Sequence, residues 1–161
     1  MMIRGDRVAL PDGIRAARVH VRDGRIAAVD VGSDLDARDD ERRATGAPVT
    51  GDLGPVLDAG RLVVFPGLVD SHVHINEPGR AHWEGFHSAT RAAAAGGVTT
   101  LVDMPLNSRP PTTTADGLRA KREAAHGACH VDVAFWGGLV PGNTAQLPAL
   151  AAAGVRGFKC F

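Results

Sequence analysis

The chain has 161 residues, enough for one domain with a sizeable core. Lysine plus arginine and aspartate plus glutamate number 18 each, which argues against a nucleic-acid or membrane-surface partner; scarce aromatics and the absence of tyrosine disfavour a base-stacking platform. No apolar run reaches the ~20 residues of a membrane span, residues 1–6 lack a signal-peptide apolar region, and Cys129 and Cys160 form no CxxC pair, so a soluble cytoplasmic protein is expected.

Residues 8–10, 18–21 and 25–29 are predicted as short strands, separated by Pro11-Asp12-Gly13 and by Asp23-Gly24. Asp-Gly between strands is a strong hairpin signal, because a type I′ turn needs positive φ at both central residues. A charged stretch, 34–52, has no usable periodicity and reads as a loop or mobile excursion. The β pattern resumes at 56–58 and 62–65, so residues 1–65 are expected to form a small all-β module.

From residue 66 the pattern alternates. Strands are predicted over 68–75, 98–103, 131–136 and 155–161, and helices over about 84–95, 115–125 and 144–153. The alanine clusters 92–95 and 151–153 are helix interior, and glycines at 96–97 and 154 stop the helices. Such alternation implies parallel βαβ units with right-handed crossovers. The chain stops inside its fourth strand, and a complete (β/α)8 barrel needs about 250 residues. The expectation is therefore the N-terminal part, 66–161, of a larger barrel, with an open four-stranded sheet as the alternative.

Within the strand over 68–75, side chains alternate faces, so Asp70, His72 and His74 share one face and Val69, Ser71, Val73 and Ile75 the other. Two imidazoles on neighbouring same-face positions can grip one metal ion. A bare His-x-His is equally two histidines that happen to share a face. The context favours a ligand role: Pro66-Gly67 precedes the strand and the polar turn Asn76-Glu77-Pro78-Gly79-Arg80 follows it. The pair thus lies at the C-terminal end of a strand, where α/β folds site their chemistry.

The run from Pro66 to His74, with Glu77-Pro78-Gly79-Arg80 behind it, resembles the first barrel strand of the cyclic amidohydrolases, the group of dihydroorotase, dihydropyrimidinase (hydantoinase) and allantoinase. Further runs are similar to the allantoinase branch above all: His82-Trp83-Glu84-Gly85-Phe86, the stretch 92–100, Asp103-Met104-Pro105-Leu106-Asn107-Ser108, Gly137-Gly138-Leu139-Val140 and Gly157-Phe158-Lys159-Cys160-Phe161. The resemblance implies a (β/α)8 barrel behind a small N-terminal β-sandwich. It also implies two divalent metal ions, usually zinc, and a two-metal hydroxide mechanism that opens the cyclic amide of allantoin to allantoate. By position His72 and His74 are implied as ligands of the first metal. Lys159 is implied as the lysine carboxylated by CO2 to bridge both; a protonated lysine, with a reference pKa of ~10.4, cannot ligate a cation, whereas a carbamate can.

The implied acid/base aspartate and two more histidines belong to later strands, beyond Phe161, so no catalytic residue is expected in this chain, and the fragment is expected to be inactive alone. His20, His82, His87, His126 and His130 match none of those positions and are expected at the surface or in structural roles. Asp70 and Asp103 are expected to be strand-end or supporting groups, and the start of the helix at Trp83-Glu84-Gly85 to serve packing and capping. Dihydroorotases carry an arginine where this chain has Asn76; a neutral amide cannot clamp a carboxylate but can bond a ureido group. Asn76, and more weakly Asn107, are the expected substrate contacts. A small-molecule cyclic ureide is the implied partner, and a homo-oligomer, a tetramer by resemblance, the implied assembly. The alternatives are a hydantoinase, dihydropyrimidinase or dihydroorotase, and a non-catalytic assembly protein on the same fold.

Overall fold

The computed structural model describes residues 1–32 and 54–160. The chain divides into two compact units, Met1–Pro66 and Gly67–Phe161. The excursion expected over 34–52 lies outside the described residues.

In the first unit β1 (Met2–Leu10), β2 (Gly13–Arg22) and β3 (Arg25–Val31) form an antiparallel meander. The Asp23-Gly24 turn has φ of 51° and 71°, the backbone an Asp-Gly turn supplies. The strands are longer than their apolar runs: β1 begins at Met2, not at residue 8, because Ile3 to Gly5 pair with Ala17 to Val19 although arginines interrupt the pattern. Val8, Ala17 and Val19 form the buried cluster, with Ile3, Leu10, Val21 and Val64 packed on it. β4 (Val56–Asp58) and β5 (Val63–Val64) both pair with β1 in parallel, giving a five-stranded sheet.

The second unit is mixed α/β. Strands β6 (Leu68–Val73), β7 (Val98–Asp103) and β8 (Asp132–Phe135) form a parallel sheet in that order. Helix α1 (Phe86–Ala95) joins β6 to β7, and α2 (Ala115–Ala125) joins β7 to β8. Thr114 caps α2 by accepting the Gly117 N–H at 3.1 Å. The cap of α1 comes from far along the chain: Glu77 Oε2 accepts the Phe86 N–H at 2.8 Å, so the helix starts two residues later than its periodicity suggests. Glu84 contributes by accepting the Gly85 N–H and the Ser88 hydroxyl, but Trp83 does not pack inward; it is exposed, under the Arg80 guanidinium.

Two further expectations are corrected. The helix over 144–153 is a 3-10 turn (Thr144–Gln146) leading into α3 (Leu147–Ala152), because Pro148 sits in the first turn, where its missing N–H costs nothing. The fourth strand shortens to β10 (Phe158–Lys159) and pairs with β9 (Gly137–Gly138), an element without an apolar signal. The core of the unit joins every layer: Ile75, Phe86, Leu101, Leu118, Phe135 and Leu150 are buried together, with Phe86 and Phe135 edge-to-face at 6.2 Å.

Candidate metal centre

Strand β6 ends at Val73, so His72 is its penultimate residue and His74 lies just beyond it, not on a strand running to 75. The register against β7 shifts between Asp70 and Val73, and the regular ladder breaks where the histidines begin. The expected facing holds at the end of the strand, although Val69 and Ser71, expected on the same face as Val73 and Ile75, are exposed. Val73 and Ile75 join the core while the two imidazoles sit together at the surface, 5.5 Å apart and tilted by 51°. Asp70 folds back on its own strand and accepts the His72 N–H at 3.0 Å.

Lys159 arrives from β10, 87 residues along the chain, and its Nζ lies 3.1 Å from His72 Nε2. Gly137 and Gly138 permit this approach. A Cβ on Gly137 would lie 2.8 Å from the Phe158 ring, and one on Gly157 would overlap Trp136. Trp136 ties the strands together, its indole N–H donating to the Ser71 carbonyl at 2.9 Å. The three residues expected as ligands therefore converge from two strands.

Asn76 and Asn107 occupy the loops after β6 and β7 with φ of 67° and 74°. Asparagine is among the few residues that tolerate this left-handed backbone, which is one reason for its presence at both places. Asn107 Nδ2 lies 3.3 Å from His74 Nδ1. Asn76 is buried, and its Oδ1 has no hydrogen-bond partner. An amide presents a donor and an acceptor in interchangeable positions, so Asn107 can meet His74 Nδ1 in either protonation form.

The support beneath these loops is ionic, and sequence reasoning did not find it. Asp103, the last residue of β7, is fully buried; its Oδ1 accepts the Ile75 N–H at 2.8 Å and its Oδ2 accepts Lys121 Nζ at 2.5 Å. Lys121, fully buried in α2, also donates to the Met104 carbonyl at 2.9 Å. Met104 N–H in turn donates to the Val73 carbonyl at 2.8 Å. Both ends of the backbone around His74 are thus pinned to the end of β7. Burial pushes the Asp103 carboxyl above the ordinary range, opposed by the Lys121 charge and the Ile75 N–H. It pushes the Lys121 ammonium down, opposed by Asp103. The pair is read as ionised, because each charge is met by its partner and by one further hydrogen bond. A signal existed: Lys121 stands three residues after Leu118 and four before Ala125, on the apolar stripe of α2, where a lysine needs a buried partner.

His74 is held below the usual histidine range, first by partial burial and then by the positive charge of Lys159, with Asp103 opposing. A neutral imidazole is the form that binds metal. Among the described residues no three His, Cys, Asp or Glu side chains are placed to hold an ion, so the cluster consists of two imidazoles and an amine. That donor set fits part of a metal centre: imidazole suits zinc, and an amine converted to an anionic carbamate would supply the oxygen donors the described cluster lacks. His20 bonds Asp30 at 2.9 Å, His82 lies edge-on to Trp83, and His87 meets His130.

Residues 63–160 match the Amidohydrolase family. The chain is 52% identical over 161 residues to an allantoinase of Streptomyces avermitilis, covering all of this chain and 33% of that protein. It is 46% identical over 162 residues to an allantoinase of Arabidopsis thaliana, covering 99% of this chain and 30% of that protein. Its structure is similar to an L-hydantoinase (dihydropyrimidinase) from Arthrobacter aurescens, with a TM-score of 0.80 and 32% identity over 98% of this chain and 32% of that one. The chain spans about a third of the length of the curated relatives it matches.

Proposed function

The chain belongs to the amidohydrolase family, and we propose that the whole protein hydrolyses the cyclic amide of allantoin to allantoate. The observation that carries this reading is the convergence of His72, His74 and Lys159 in a chain 52% identical to an allantoinase. The proposal includes the architecture: β6, β7, β8 and the β9–β10 pair as the first half of a (β/α)8 barrel over 66–161, and residues 1–65 as part of a β-sandwich. It places the assembly as a homo-oligomer in the cytoplasm, a reducing compartment that suits the free cysteines Cys129 and Cys160.

His72 and His74 would hold one of two divalent ions, most simply zinc, and Lys159 carboxylated by CO2 would bridge them. Bound there, the ions polarise a carbonyl and lower the pKa of water. The chain's own residues have separable tasks in this reading. Asp103 and Lys121 fix the backbone on either side of His74. Asn107 sets the His74 ring: with the ring's proton on Nδ1 and its Nε2 free to ligate, the asparagine presents Oδ1 as acceptor. Asn76 offers its orphaned Oδ1 to a substrate N–H, since a buried acceptor without a partner marks a place a ligand can complete. An uncharged ureide meets no unpaired charge at Asn76, whereas the carboxylate of dihydroorotate would lack a clamp there.

A second reading, hydantoinase activity, is favoured by the likeness to the Arthrobacter aurescens enzyme. Turnover of allantoin, hydantoin, dihydrouracil and dihydroorotate by the full-length protein under one metal condition separates the two. Allantoin is expected to be preferred, with dihydroorotate nearly untouched; preference for hydantoin or for a six-membered ring would overturn the substrate assignment. Lys159→Ala should abolish turnover, with partial rescue by a short-chain carboxylic acid.

A further inference from the structure

We propose that His87 and His130 form a second metal site, away from the His72–His74–Lys159 cluster, for a late first-row divalent ion such as Cu2+ or Zn2+. His87 lies in the first turn of α1, and His130 lies two residues before β8 begins at Asp132, 43 residues along the chain. His87 Nδ1 and His130 Nε2 are 3.2 Å apart, with ring centroids 4.8 Å apart and planes at 62°. Two imidazoles on one ion at ~2.0–2.1 Å have nitrogens about 3.3 Å and centroids about 5.2 Å apart in tetrahedral geometry, and about 2.9 Å and about 4.5 Å apart at neighbouring positions of the square-planar geometry Cu2+ favours. An N–H···N bond made end to end at the same nitrogen separation would place the centroids about 5.5 Å apart. The rings are bent closer than that, and their spacing falls between the values of these two coordination geometries.

The pair is also held in place before any ion arrives. The His130 N–H donates to Thr90 Oγ1 at 3.0 Å, and that hydroxyl donates to the Phe86 carbonyl at 2.5 Å. Thr90 is fully buried one turn from His87, so the backbone of His130 is bonded to the helix that carries His87. Both imidazoles are exposed, which leaves room for water to complete the coordination. Cys129, although adjacent to His130, directs its thiol to the Ala125 carbonyl and is not a third donor. Binding takes each ring as neutral imidazole, with protons on His87 Nε2 and His130 Nδ1, and uses the ligand type late first-row ions favour.

The test uses the full-length protein with its family-type metal site saturated and excess metal removed, titrated with Cu2+ and followed by calorimetry and electron paramagnetic resonance. One added ion per chain is expected, with nitrogen hyperfine structure, and at least tenfold weaker binding in His87→Gln and in His130→Gln. His126→Gln serves as the control for any exposed imidazole and should leave the added ion in place. No added ion, an added ion indifferent to both variants, or one weakened equally by His126→Gln would overturn the proposal. Unchanged turnover in His87→Gln and His130→Gln, together with unchanged far-UV dichroism, distinguishes loss of the site from loss of the fold. The added ion is counted as a difference between wild type and variants, so it is read even if the proposed substrate fails.

Discussion

Replacing Lys121 with methionine tests the frame under the metal centre most directly, because it removes one charge from a fully buried pair and preserves most of the side-chain volume. Removing one partner of a buried ion pair costs ~3–5 kcal/mol, since the other charge is left uncompensated. Here Asp103 keeps the Ile75 N–H at 2.8 Å, which favours the low end, but the Met104 carbonyl loses its donor at 2.9 Å and adds ~1 kcal/mol or more. A loss of about 4 kcal/mol is expected at neutral pH.

The sign of the pH dependence follows from Asp103. Burial already raises its pKa in the folded protein, and without Lys121 the opposing attraction disappears. A group whose folded pKa exceeds its unfolded value stabilises the fold below the unfolded pKa and loses that contribution as pH rises through the folded one. The deficit of Lys121→Met should therefore shrink on acidification, from its full size at pH 8 to a fraction of it near the carboxylate range. Native-state hydrogen exchange at the Ile75 amide, read in the full-length protein, reports this locally; about 4 kcal/mol corresponds to roughly a thousandfold loss of protection if the same opening governs exchange. Adding Asp103→Asn should recover most of the loss, because the amide still accepts from Ile75 and no charge remains. A cost below ~1 kcal/mol that does not vary with pH would refute the reasoning, since that is how an exposed pair behaves.

Asn107→Ala should weaken metal binding ~10–100-fold, as loss of an orienting partner does, while Asn107→Asp retains an acceptor for His74 and binds metal at least as tightly; metal-buffered titration checks this, and a pure rise in KM at unchanged metal affinity would instead make Asn107 a substrate contact. Gly79→Ala should destabilise by about 2–4 kcal/mol, read as a lowered Tm: its φ of 86° is costly for a residue with a Cβ, and that atom would lie 2.7–2.8 Å from the Cβ and carbonyl of Arg109. The same substitution should disturb the bond from the Arg109 N–H to the Pro78 carbonyl, which joins the loops carrying Asn76 and Asn107.

Much of this protein was legible in its sequence because it is encoded locally. The alternation of strands and helices from residue 66, the Asp23-Gly24 turn, the alanine-rich α1 closed by glycine and the His72–His74 pair all follow from periodicity, turn chemistry and propensity within a few residues. The resemblance, not the periodicity, pointed to Lys159, which in isolation is an ordinary lysine on a short strand. What only the tertiary structure decided is who meets whom. Lys159 reaches His72 because Gly137 and Gly138 form a strand with no apolar signature. β4 and β5 join β1 in parallel, a pairing no turn residue announces. Asp103 and Lys121 find each other across 18 residues, and His87 and His130 across 43. Such contacts depend on register and on packing between distant elements. A sequence records the side chains available for them, while only the folded backbone sets the distances at which they act.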